Sequence, residues 1–259
     1  MFDLLRRLRR APEPIDPIVW REACAAVPWA AALDEIRNAR LQSLAACFLH
    51  AKTITPVGSL KLDDCQRCML AALCCLPVLE FGEHGLDGWS QLIVYPEAFR
   101  VHRSHMDAAG VLHEGQDELI GEAWGEGPVI LSWADVLADC QDPRDGFCVA
   151  AHEIAHKLDL LDGVLDGTPL LPREWQREWA RDFQQAFDRL CDQVDDDHEP
   201  AIDSYAAEAP EEFFAVVTEY HFSDPVRLRS AMPKIADHLS RFYGPPPFSA
   251  AGSTAMDTA

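Results

Sequence analysis

His152-Glu153-Ile154-Ala155-His156 reads HExxH within a stretch of helical periodicity, and few short patterns restrict a fold so tightly. Residues four apart stand one turn above each other on the same helix face, so two imidazoles at that spacing can grip one tetrahedral ion. Glu153 then flanks the ion, where a carboxylate can take a proton from a water that the metal polarises. At about 100° per residue, Phe147, Ala151, Ile154, Leu158 and Leu161 form one apolar stripe with both His on the opposite side. The pattern predicts a helix packed on a core, with its ligands facing a cleft. Asp145 is the expected N-cap and Gly163 the C-terminal stop. Asp159 shares the His face near the helix end, where the dipole disfavours a carboxylate, so a nearby cation is expected.

The composition suits a globular chain of this kind. In 259 residues, 48% are hydrophobic, enough for a substantial core. Against 43 Asp+Glu stand 22 Lys+Arg, a net charge of -21 that repels a phosphate backbone and argues against direct nucleic-acid binding. No apolar run is long enough to span a bilayer, and the basic start, MFDLLRRLRR, lacks the apolar core of a secretion signal. Nine Cys without such a signal predict free thiols and a cytoplasmic location. Cys65 and Cys68 form a CxxC, but Met69 to Leu73 continue an apolar helix towards Cys74 and Cys75. Buried thiols acting as small hydrophobes are therefore expected rather than a second metal site. His102, His105 and His113 have no carboxylate or Cys at a metal-binding spacing and are read as solvated or structural.

Residues 1–16 read as an irregular N-terminal segment, 17–244 as one domain, and 245–259 as a disordered tail. Within the domain, 17–90 form a helical part and 91–244 the part carrying the chemistry. Two helices broken near Pro28 are predicted over 20–50, then a turn-rich piece at 55–59 and a helix over 63–79. Residues 91–95 and 128–133 read as strands of a small sheet, the latter an edge strand able to pair with an extended peptide. Helices follow over 172–192, from Pro210 to before Pro225, and over 225–243, with Asp195-Asp196-Asp197 as a solvated acidic loop.

A catalytic ion needs a third protein ligand, and the helix near Pro210 offers Glu208, Glu211, Glu212 and Glu219. Face-counting alone selects none of them. Glu212 has the advantage of lying in the first turn beside Phe213 and Phe214, whose burial would hold its backbone rigid.

Longer blocks resemble the Mlc titration factor A peptidases, a family whose catalytic region is similar to that of anthrax lethal factor. They include 73–79, Ile93-Val94-Tyr95-Pro96 with Phe99, Gly121-Glu122-Ala123-Trp124 and 129–133. The motif helix continues as Lys157-Leu158-Asp159, with Leu161-Asp162-Gly163 and Asp166-Gly167 following it. Ser204-Tyr205-Ala206 and Glu212-Phe213-Phe214-Ala215-Val216 complete the likeness. Ile154 and Ala151 depart from the family's usual bulkier residues without removing a ligand.

The resemblance implies a zincin-like (gluzincin), predominantly helical α+β fold with a small sheet. It implies Glu212 as the third ligand to a single zinc ion beside His152 and His156, and Tyr205 as a residue pointing into the site. With Glu153 as the base, Tyr205 is expected to help stabilise the oxyanion, and Asp159 to brace a ligand imidazole. Aminopeptidase-like hydrolysis of small peptides is implied. Apart from the resemblance, an acidic residue near the cleft, Glu208 or Glu211, is expected to receive the substrate amine. The family name implies a second role, binding a transcriptional repressor, Mlc, that controls sugar-uptake genes.

Overall fold

The computed structural model describes residues 11–97 and 127–248. The basic N-terminal segment, Phe99, the three His near residue 105, the Gly121 to Trp124 block and the last eleven residues lie outside them. The fold is predominantly helical, with a sheet of three strands among the described residues, the α+β arrangement expected of a zincin-like chain.

The N-terminal half forms α1 (Pro17–Ala26), the short α2 (Pro28–Ala31) and α3 (Glu35–Ala51). Proline opens the first two, where its missing N–H costs nothing. Strand β1 (Thr53–Pro56) follows, then α4 (Asp64–Cys75), opened by a capping box in which Asp63 and Gln66 exchange backbone hydrogen bonds of 2.8 and 2.9 Å. Sequence periodicity carries α4 on to Leu79, but the helix ends at Cys75 with Leu76 as its C-cap, just before Pro77, and the chain turns through residues 76–81. Strand β1 overlaps the piece read as turns. Four residues ending in Pro carry too little alternation to announce a strand, and parallel pairing to β2 (Gln91–Tyr95) creates it.

The sheet runs β1-β2-β3, all parallel, with β3 at Val129–Ser132. Its buried positions include Leu92, Val94, Val129 and Leu131. Pro56 is tolerated because β1 is an outer strand. Trp133 belongs not to the strand, as its sequence implied, but to α5 (Trp133–Gln141), for which the Ser132 hydroxyl accepts from Asp135 N at 3.0 Å.

The remaining helices are α6 (Val149–Asp159), α7 (Arg173–Asp195), α8 (Pro210–Ser223), α9 (Pro225–Ala231) and α10 (Pro233–Tyr243). The last two replace the single helix expected there, because Pro233 forces Met232 out of helical geometry. Every residue of α8 from Phe213 to Ser223 is buried, so this helix is the spine of the molecule. Around it Trp179 stacks on Phe183 at 4.1 Å, and Phe214 lies within aromatic contact of Trp179, Phe242 and Tyr243. The Trp29 indole donates to Phe222 O at 3.1 Å, tying the N-terminal helices to the same spine. Removing one such ring would cost about 3–5 kcal/mol. Helix α6 packs antiparallel to α8, so its start meets Glu219 and its middle meets Glu212.

Candidate metal centre

Helix α6 begins without a local cap. Asp145, expected there, accepts instead from Phe147 N at 2.9 Å, and Cys148 caps nothing with its side chain. The opening donors go to distant carboxylates: Cys148 N to Glu219 Oε2 at 2.7 Å and Val149 N to Asp139 Oδ2 at 2.8 Å. Two carboxylates at a helix start also complement its dipole. At the other end, the helix stops at Asp159, and Gly163, the expected stop, closes a short 3-10 turn at Leu160–Asp162 in the left-handed conformation.

His152 is 2% exposed, with Nδ1 2.8 Å from Glu219 Oε1. An ionised carboxylate can only accept, so the Nδ1 proton points at Glu219 and Nε2 keeps its lone pair. That lone pair faces His156 Nε2 at 3.1 Å, with the two rings nearly perpendicular. Glu212 completes a triangle, its Oε2 3.1 Å from His152 Nε2 and its Oε1 3.5 Å from His156 Nε2. Ligands at tetrahedral angles and roughly 2.0–2.1 Å from a zinc ion stand roughly 3.3 Å apart. The observed edges match that spacing.

Glu212 Oε2 and His156 Nδ1 are buried without a hydrogen-bond partner, although Oε2 lies so near an imidazole. Burial pushes the Glu212 carboxyl up, and protons on the two facing imidazole nitrogens would outweigh it and hold the group well below the usual carboxylate range, the same place a cation takes between neutral rings. A carboxylate oxygen and two imidazole nitrogens converging on one point are the donor set a divalent ion needs. Among the described residues, this is the one group of three His, Cys, Asp or Glu placed to hold a metal.

The comparisons with known proteins agree with this geometry. The pattern of the glucose-regulated metallo-peptidase M90 family matches residues 2–244. The chain belongs to that family. Among its relatives, a Mlc titration factor A from Cronobacter sakazakii is 36% identical over 236 residues, 89% of this chain and 87% of that protein. Another, from Serratia proteamaculans, is 37% identical over 235 residues, covering 89% of this chain and 88% of its own. A third, from Escherichia coli, is 35% identical over 229 residues, or 86% and 84% of the two chains.

The family match spans every element that builds the cluster and the residues around it. Glu153 is half-buried beside His152, one turn before Lys157, whose ammonium donates to Gly127 O at 2.9 Å. That bond ties the motif helix to the chain entering β3. Burial lowers the Lys157 pKa, and Glu153 partly offsets it. Tyr205 sits in a 3-10 turn, Ser204–Ala207, with its ring 6.3 Å from that of His152.

Other expectations fall differently. Asp159 is fully buried, accepts from Gly167 N at 2.7 Å, and forms no hydrogen bond to either imidazole. No ion pair joins it among the described residues, and burial pushes its carboxyl up to about 6. The brace on His152 is Glu219, which lies on the face of Glu212 two turns along the same helix. Glu208 is exposed and Glu211 half-buried, and neither belongs to the cluster. All nine Cys are free, and Cys68, Cys74 and Cys75 are buried with burial raising their pKa values, as expected of small hydrophobes. Among the described residues no helix is long and apolar enough to cross a membrane.

Proposed function

We propose that the chain is a zinc-dependent metallopeptidase, aminopeptidase-like, acting in the cytoplasm on small peptides. Residues 17–244 form its single zincin-like domain, with one ion per chain. The observation that carries this reading is the convergence of His152, His156 and Glu212 at ligand spacing beside Glu153. A zinc ion held by those three side chains would supply Lewis acidity towards water and a peptide carbonyl. Glu153 takes the proton from the attacking water and returns it to the leaving amine. Tyr205 donates its phenolic hydrogen to the developing oxyanion. Strand β3 pairs with the extended substrate, and Glu208 or Glu211 receives its free amine.

The test uses Glu153→Gln. The variant is expected to keep stoichiometric metal by elemental analysis while hydrolysis of chromogenic aminoacyl substrates falls by at least about 100-fold. Unchanged hydrolysis would refute Glu153 as the base, and a wild-type chain without metal would refute the centre itself.

A second reading has support of its own, since the relatives compared all bear the name Mlc titration factor A. For the regulatory role their names favour this reading over any particular peptide substrate. In it the chain binds a repressor of the Mlc kind and withdraws it from its targets, with hydrolysis secondary. Co-purification with such a repressor, with and without a chelator, separates the two: binding that ignores the chelator supports titration, whereas metal-dependent cleavage supports catalysis.

A further inference from the structure

The two Asp-Gly pairs that follow the motif helix, Asp162-Gly163 and Asp166-Gly167, have no part in the chemistry above, yet they lie in very different surroundings. Both glycines adopt positive φ, +94° at Gly163 and +78° at Gly167, a region side chains rarely enter. Around Gly163 there is open space: an added Cβ would meet nothing within 4 Å. At Gly167 the same atom would sit 2.3 Å from Pro210 O, 2.6 Å from Pro210 C and 3.1 Å from Glu211 N. Those are backbone atoms of the first turn of α8, so no side chain can swing aside. The other side of Gly167 is anchored too, because its N–H donates to the fully buried Asp159 carboxylate at 2.7 Å.

Asp159 ends the helix carrying His152 and His156, and Pro210 opens the helix carrying Glu212. We propose that Gly167 is a positioning residue: held by Asp159 and pressed backbone to backbone against Pro210, it sets how closely Glu212 approaches the two imidazoles. The loop thereby gauges the ligand triangle from the end opposite the Glu219 brace. Metal geometry is satisfied only within about 0.2 Å, so a displaced first turn of α8 registers directly in affinity. This inference rests on the zinc reading of the cluster.

Zinc affinity of the full-length chain is measured by competition with a chromophoric chelator, alongside urea denaturation of the zinc-free protein. Gly163→Ala carries the left-handed strain without the collision, and Gly167→Ala carries both. Both variants are expected to lose stability, while zinc affinity falls about tenfold or more in Gly167→Ala alone. Asp159→Ala, which releases the anchor without adding bulk, is expected to weaken zinc in the same way, and Asp159→Asn, which keeps an acceptor, to restore it. Zinc affinity in Gly167→Ala equal to that in Gly163→Ala overturns the proposal. Should Gly167→Ala not fold, undiminished affinity in Asp159→Ala overturns it instead. A wild-type chain that binds no zinc overturns the reading of the centre, a result distinct from either.

Discussion

Asp182 and Glu212 both meet histidine, and their surroundings divide a structural ion cluster from a metal centre. Asp182 joins α7 to α10: it accepts from Arg181 Nε and Nη2 at 2.9 Å, from Lys234 Nζ at 2.9 Å and from His238 Nε2 at 3.1 Å. Each of its oxygens is matched by a donor, two of which belong to permanent cations. Glu212 instead meets two imidazole nitrogens, one of them the lone-pair Nε2 that Glu219 leaves on His152, and has a buried oxygen without a hydrogen bond. A closed set of donors and acceptors holds helices together. Acceptors that face one another are stable only if something positive lies between them.

That contrast is most directly broken by deleting each centre. His152→Ala is expected to abolish stoichiometric zinc, whereas Asp182→Ala should leave zinc content intact and cost about 2 kcal/mol of folding stability. Elemental analysis paired with urea denaturation reads both outcomes, and zinc loss in Asp182→Ala would erase the distinction.

A finer division concerns Glu219, whose two oxygens accept from different N–H groups, His152 Nδ1 and Cys148 N. An amide has one acceptor oxygen, so Glu219→Gln must turn an NH2 group towards one of these donors. Zinc affinity should fall by about 10–100-fold. Chelator competition giving wild-type affinity would reduce Glu219 to a helix cap.

The smallest effect is a difference in the pH dependence of stability in the zinc-free protein. The hydrogen bonds from Arg181, with those from Lys234 and His238, outweigh burial and hold the Asp182 carboxyl well below the usual range. Its stabilisation is therefore complete above the unfolded value of about 4 and is lost as pH falls through the folded value. Asp159 runs the other way. Burial raises it to about 6, so between about pH 4 and 6 the folded chain keeps a proton that the unfolded chain releases, and stability falls as pH rises. Urea midpoints across pH 3–7 should lose the upper slope in Asp159→Asn and the acid slope in Asp182→Asn. Parallel curves for the two variants would refute the opposed signs.

Much of this was legible locally. The spacing of His152 and His156, the limits of β2 and the helix opened by Pro210 depend on neighbours within a few residues. Strand β1 was hidden because four residues acquire their conformation from pairing, and the Asp145 cap was misplaced because the donors of α6 turn to Glu219 and Asp139, 71 and 10 residues away. The brace eluded local reading for the same reason. Glu212 and Glu219 lie on one face of α8, and only the antiparallel packing of α6 decides which carboxylate reaches Nε2 and which reaches Nδ1.

By itself, then, the chain's order of residues determined the helices, the shared face of two imidazoles and a supply of carboxylates on a buried spine. Tertiary structure decided the division of labour among those carboxylates, the replacement of a local cap by remote ones, and the approach of Gly167 to Pro210. Periodicity records which way a side chain faces along its own helix. How two helices cross, and so which atoms come within 3 Å, is a property of the packed core.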